Sequence, residues 1–427
     1  MFVPSCFIII LYSFIYVHTQ GLKTIKLEKV YSEETIFQKE LNGIQGNYRR
    51  TKRSSHKIPL ANFKNYQYYG KVKFGSYNQE YKILFDTGSD YTWIPKGHSK
   101  ENKCSTKYKH YKSTSFQDFN KNKTLEYVKG EVTIRLGSDS VTIGNMTVMN
   151  QTLGLAIKND CGGVDQKYEG IIGMSFHSIY QPSILQNMLS QGFIKEPVFA
   201  FHFSSHSSSN ELIIGGYNPE YIKNGELNTV NVTDSEAWQV QIEIMTFGNE
   251  IIAINQKAII DSGSSIISAP YKFLQCILDI IKKSNDEIII EINQENGLLS
   301  FTRSSSFKVP NISFIFRNND YTLTDEDYTI KTNDKIGIGI SFNKDVSDTW
   351  VLGDSFLRKF HTVFNFANRT ISFPKTTRFI DGGLLKSNFC LSLTSMGNSM
   401  NTGRSPIIIY TLLPFIYIYL SKFNSIF

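Results

Sequence analysis

The chain has few cysteines, histidines and tryptophans: five, eight and three among 427 residues. No two cysteines form a Cys-x-x-Cys pair and no histidines cluster, so there is no metal-ligand motif, and no metal or other cofactor is expected. No Gly-x-Ser-x-Gly elbow occurs, no histidine stands in a recognisable triad motif, and the cysteines lack the contexts of thiol proteases. That argues against hydrolases built on a covalent nucleophile. Charge is thin as well, at 19% of residues against a globular norm of about 25%. The net charge of +7 is dispersed, except at Arg49-Arg50-Thr51-Lys52-Arg53. Without a basic stripe, nucleic acid is not an expected partner. No apolar run reaches about 20 residues, the length a spanning helix needs.

What the chain does have is 41% apolar residues, enough for a sizeable core. Its polarity comes largely from Asn, Ser, Thr and Tyr, which suits pleated, half-buried surfaces. Residues 2–17 are nearly all apolar, around Phe7-Ile8-Ile9-Ile10-Leu11, and polar sequence follows. This predicts a secretory signal over residues 1–20, with an uncleaved anchor as the alternative. Residues 21–57 are charged, end just beyond the basic cluster, and read as a removable propeptide or a linker. At the other end, Ser395-Met396-Gly397-Asn398-Ser399 precedes an apolar tail from Pro406 to Leu420. Small residues, a polar spacer and an apolar tail form the pattern of a GPI-anchor signal. A short membrane anchor and an unstructured tail are the other readings of residues 377–427.

Between these ends the texture is uniform. Short β-type runs at 69–74, 81–85, 132–136, 140–143, 212–214, 251–254 and 312–316 alternate with Gly, Asn and Ser turns. Helical periodicity is confined to stretches such as 183–191 and 271–283. The pattern predicts an all-β architecture. Within it lies an internal repeat. Leu84-Phe85-Asp86-Thr87-Gly88-Ser89 returns as Ile259-Ile260-Asp261-Ser262-Gly263-Ser264, 175 residues later. Each copy is followed by a second element, Gly170-Ile171-Ile172-Gly173-Met174-Ser175-Phe176 and Trp350-Val351-Leu352-Gly353-Asp354-Ser355-Phe356. The offsets from Asp to the last Gly of each element are 87 and 92. One Asp-Thr-Gly triplet usually marks a turn. Two motifs repeated in the same order at nearly the same gap predict two related lobes, 58–235 and 236–376.

Two such loops brought together by pseudo-twofold symmetry would set Asp86 and Asp261 side by side. Adjacent carboxyls cannot both ionise cheaply, so they share a proton. The ionised one can take a proton from water while the other donates to a carbonyl, which is general acid–base hydrolysis without a covalent intermediate. Gly88 and Gly263 permit tight turns and backbone approach to the carboxylates. The hydroxyls of Thr87 and Ser262 can bond across the lobes, and Ser89 and Ser264 can reach the outer carboxylate oxygens. Local bridges, one in each lobe, would be Cys104–Cys161 and Cys276–Cys390; with Cys6 set aside in the signal, all three pairings of the four cysteines stay open.

On these motifs the chain resembles the pepsin-like aspartic endopeptidases over nearly all of 58–375. Ile58-Pro59-Leu60 followed by Gln67-Tyr68-Tyr69-Gly70 is similar to the family's mature N-terminus. Trp93-Ile94-Pro95, Leu212-Ile213-Ile214-Gly215-Gly216 and Trp238-Gln239-Val240 match as well. The resemblance implies a bilobal fold with a cleft, a zymogen, and extended polypeptides and the protein's own propeptide as partners. It also implies a monomer that is secreted, vacuolar or at the cell surface. Tyr127 falls at the flap position, which places it over the dyad with Trp93 bonded to its hydroxyl and makes Tyr127, Gly88 and Gly263 substrate-binding residues. The Asn/Lys/Ile-rich texture suggests the plasmepsin sub-group of apicomplexan parasites. Four departures stand out: Ser262 for the commoner Thr, Val128-Lys129 after the flap tyrosine, Asp90 after Ser89, and Cys161-Gly162-Gly163 where many members carry a pocket aromatic. An inactive, binding homologue is the alternative function, and loss of either Asp would have favoured it.

Overall fold

In the computed structural model the described residues are 55–63, 67–97, 107–127, 130–158, 167–176, 182–204, 210–222, 225–284, 288–293, 297–302, 308–331, 335–343 and 348–378. All fall within one compact unit, residues 50–427. The architecture is all-β, and every expected β-type run lies inside a strand. The expected signal, most of the propeptide, Val128-Lys129, Cys104, Cys161, Cys390 and the apolar tail lie outside the described residues.

The first eight-stranded sheet is built from β1 (Ala61–Phe63), β2 (Gln67–Phe74), β3 (Gln79–Asp86), β4 (Trp93–Pro95), β5 (Gln117–Tyr127), β6 (Gly130–Ile143), β7 (Met146–Lys158) and β8 (Gly170–Gly173). Its order is β1-β2-β3-β8-β4-β7-β6-β5. A ten-stranded sheet contains β9 (Gln239–Phe247), β10 (Glu250–Ile260), β11 (Ile267–Pro270) and β12 (Thr349–Leu352). The sheets share one device. The strand that leads to each repeated Asp pairs in parallel with the strand of the second repeated element. In the first sheet Ile83 faces Gly170 and Asp86 faces Gly173; in the second, Lys257 faces Thr349 and Ile260 faces Leu352. The two motifs recur at similar offsets because each pair forms one such crossover.

A third, six-stranded antiparallel sheet draws strands from both halves of the chain. His56–Pro59, Val198–His202, Glu211–Ile214 and Leu227–Asn231 come before residue 235, and Thr362–Asn365 and Thr370–Pro374 after it. Phe199 pairs with Phe364 across it, their rings stacked with centroids 4.8 Å apart. Trp238, Phe176 and Phe366 pack on this pair, and burial of each phenylalanine contributes about 1.5–3 kcal/mol. The Trp238 indole N–H donates to the Met174 carbonyl at 2.9 Å, which ties this core to the end of β8.

The helical stretches form where the periodicity placed them. Helix α1 (Ile184–Ser190) is capped by Ser183, whose hydroxyl accepts from the Gln186 N–H while the Gln186 side chain accepts from the Ser183 N–H. Helix α2 (Leu274–Ser284) buries Leu274, Cys276, Ile277, Ile280 and Ile281, one stripe at helical spacing. Cys276 is disulfide-bonded, to a partner outside the described residues. Among the described residues, no helix is long and apolar enough to cross a membrane.

Candidate active site

Both repeated Asp residues sit at the ends of buried strands. In β3 the run Ile83, Leu84, Phe85 is buried, and Asp86 at its end is 6% exposed. In β10 Ala258 and Ile260 are buried, and Asp261 follows as a partly exposed residue. The apolar run anchors the strand, and the polar turn that follows cannot continue it.

Four hydrogen bonds cross between the loops. The Thr87 hydroxyl donates to the Ile260 carbonyl at 2.7 Å and accepts from the Ser262 N–H at 2.9 Å. Reciprocally, the Ser262 hydroxyl donates to the Phe85 carbonyl at 2.7 Å and accepts from the Thr87 N–H at 3.0 Å. Both side chains are buried, so each bond is protected from water. Ser262 thus does what a threonine there would do, because only the hydroxyl is used.

This grip sets the carboxyls side by side, so that a single Cβ placed on Gly263 would lie 2.2 Å from Asp86 Oδ1 and 3.1 Å from Asp261 Oδ1. The Gly88 N–H donates to Asp86 Oδ1 at 2.9 Å and the Gly263 N–H to Asp261 Oδ1 at 2.8 Å. The glycines are needed for space. A Cβ on Gly88 would lie 2.5 Å from Asp261 Oδ1, and one on Gly263 would lie 2.2 Å from Asp86 Oδ1. Each loop's glycine therefore presses against the other loop's carboxyl. Burial, followed by the neighbouring charge of Asp86, raises the Asp261 carboxyl well above the usual carboxylate range, and the Gly263 N–H offsets part of this.

The symmetry stops at the outer serines. The Ser89 hydroxyl donates a short hydrogen bond to Asp86 Oδ2. Ser264 meets Asp261 through the backbone instead, its N–H facing the Asp261 carbonyl at 3.3 Å and its own carbonyl accepting from the Asp354 N–H at 2.7 Å. The expected hydroxyl contact is made on one side only.

Tyr127, at the tip of β5, accepts a hydrogen bond from Trp93 Nε1 at 2.8 Å. Burial pushes its phenol above the usual range, and the charge of Asp86 adds to this. Trp93 and Leu84 share a buried cluster with Leu125, Val132 and Ile171, and Tyr91, Tyr127 and Tyr168 pack against it. Two residues near the dyad were missed from the sequence. Tyr168, whose hydroxyl is pushed up to about 12 by burial and then by Asp86, stands two residues before β8. Asp354, buried behind the Asp261 loop, sits inside the second repeated element where the first copy has Met174. An aromatic just upstream of one copy, and an acid where the other copy is apolar, were the available signals.

A different buried acid is structural. Asp139 accepts from Tyr108, Ser113 and Ser115 and from the Ser140 N–H, so its hydrogen-bonding capacity is spent in pinning the connection between β4 and β5 to β6. Among the described residues, no group of three or more His, Cys, Asp and Glu side chains forms a metal centre.

Comparison with known proteins agrees with this geometry. The eukaryotic aspartyl protease family model matches residues 67–376. Pepsin B of Canis lupus familiaris is 28% identical over 331 residues, 74% of this chain and 83% of its own length. Chymosin of Bos taurus is 28% identical over 352 residues, 80% of this chain and 89% of its own. Renin-2 of Mus musculus is 30% identical over 355 residues, 76% and 84%.

Proposed function

The chain belongs to the eukaryotic aspartyl protease family, and from that premise we propose that it is an aspartic endopeptidase with Asp86 and Asp261 as its catalytic dyad. The single observation that carries this reading is the adjacent carboxyl pair, held by the reciprocal Thr87–Ser262 grip.

The Ser89 hydroxyl donates to Asp86 and so favours its ionised form, which suits Asp86 to the role of base and leaves the shared proton on Asp261. A water between the carboxyls loses a proton to Asp86 as its oxygen attacks the peptide carbonyl. Asp261 passes its proton to the carbonyl oxygen, giving a neutral gem-diol. Asp86 then returns a proton to the leaving nitrogen as the C–N bond breaks, and Asp261 regains its own from the diol hydroxyl. Tyr127 and the exposed backbone of Gly88 and Gly263 line the path of an extended polypeptide. Synthesis as a zymogen, with residues 21–57 as propeptide and lobes at 58–235 and 236–376, fits this reading. So do action as a monomer and placement in the secretory pathway, with a GPI-linked tail. Placement near the plasmepsins rests on composition, and the vertebrate relatives above do not bear on it.

The test is cleavage of a mixed peptide library by the acidified, purified protein, with and without pepstatin. Asp86→Ala and Asp261→Ala should each abolish cleavage while leaving the fold intact by circular dichroism. Retained cleavage in either variant would refute the dyad.

A further inference from the structure

Alternate residues of a strand share one face. On β5 that places Lys123, Leu125 and Tyr127 together. Leu125 is buried in the cluster with Leu84 and Trp93, and Tyr127 is tied to Trp93. The third member is also engaged. Lys123 Nζ donates to the Tyr91 hydroxyl at 2.7 Å and lies 4.3 Å from the centre of the Tyr91 ring. Tyr91 and Trp93 flank Thr92, in the segment that leads from Ser89 into β4. Strand β5 is therefore fastened twice to the chain that leaves the dyad, through partners four residues apart on its own length.

The two fastenings differ in chemistry. Trp93–Tyr127 is a neutral hydrogen bond at the tip. Lys123–Tyr91 joins a charge-assisted hydrogen bond to a cation over an aromatic face. Most side chains of β5 are exposed, and the strand pairs with β6 along one edge, from Gln117 opposite Ser138 to Tyr127 opposite Gly130.

We infer that Lys123 and Tyr91 are a positioning pair, a second latch that holds β5 against the loop behind Asp86 and so sets how firmly Tyr127 closes over a bound polypeptide. This role in substrate binding rests on the dyad reading; the latch itself does not.

The experiment pairs amide hydrogen exchange in the full-length protein without substrate with kcat and KM on a cleaved peptide. Lys123→Met keeps the stem and removes the ammonium. Exchange of the Lys121, Lys123 and Leu125 amides should speed by about two- to fivefold, the scale of one exposed cation–π contact. KM should rise by the same factor, with kcat within about twofold. Lys123→Arg should restore both, and Tyr91→Phe should fall between. Unchanged exchange in Lys123→Met, or no rescue by Lys123→Arg, overturns the latch. Faster exchange with KM unmoved overturns its role in binding. A parent protein that cleaves no peptide refutes the dyad reading instead, and the exchange data still decide the latch.

Discussion

Asp354 shows how one residue behind the dyad can govern pH behaviour. It is 2% exposed, and one carboxyl oxygen has no hydrogen-bond partner. Burial raises its carboxyl well above the usual range; Arg358 opposes this, and Asp261 and Asp86 add to it. Tyr68, across from it, is raised by burial and then by the Asp354 charge. An acid with a raised folded pKa binds its proton more tightly in the native state. It contributes stability below the unfolded value of about 4, and that stability is lost as pH rises towards the folded value. Asp354→Asn cannot ionise. The variant's melting temperature, relative to the parent's, should therefore stay constant below about pH 3 and climb as pH rises above about 4. A difference that is flat across this range would show that Asp354 does not titrate there. Nothing in the sequence marked Asp354 beyond its place in the repeat, because its effect comes from burial against a loop 90 residues earlier, where Ser355 meets Ser265.

At the scale of elements, the crossed loops carry the site. Ser262→Ala removes a donor to the Phe85 carbonyl and leaves the buried Thr87 N–H without its acceptor. An unpaired buried donor costs about 1–3 kcal/mol. Ser262→Ala should lower the denaturant midpoint accordingly and reduce kcat, because the same bonds align the carboxyls. Ser262→Thr keeps the hydroxyl and should retain both. Equal stability of Ser262→Ala and the parent would show the grip to be dispensable. This element was legible before any coordinates, because each Asp-Thr/Ser-Gly turn carries its hydroxyl one residue after the Asp. Tyr91 with Lys123 was not legible: the two lie 32 residues apart, one in the segment before β4 and one on β5, which do not pair, and neither belongs to a repeated motif.

At the scale of the whole molecule, the six-stranded sheet joins the two halves. The Phe199–Phe364 stack belongs to neither repeat. Phe364→Ala should cost about 3–5 kcal/mol through the cavity it leaves. Since its sheet takes strands from both halves, the loss should appear as one shifted unfolding transition, seen alike by tryptophan fluorescence and by loss of activity. Two separated transitions would mean that the halves unfold independently.

The sequence by itself determined which residues form the two loops: two carboxyls, their neighbouring hydroxyls and their glycines repeat in order, and repetition is visible along the chain. It also determined the all-β class, through alternating runs and turn residues. Only the tertiary structure decided the asymmetry of the dyad. Ser89 reaches Asp86 through its hydroxyl, while the Ser264 N–H faces the Asp261 carbonyl and its own carbonyl accepts from the Asp354 N–H. It likewise decided what Lys123 touches, because a lysine on β5 and a tyrosine just before β4 become partners only when the fold brings them together.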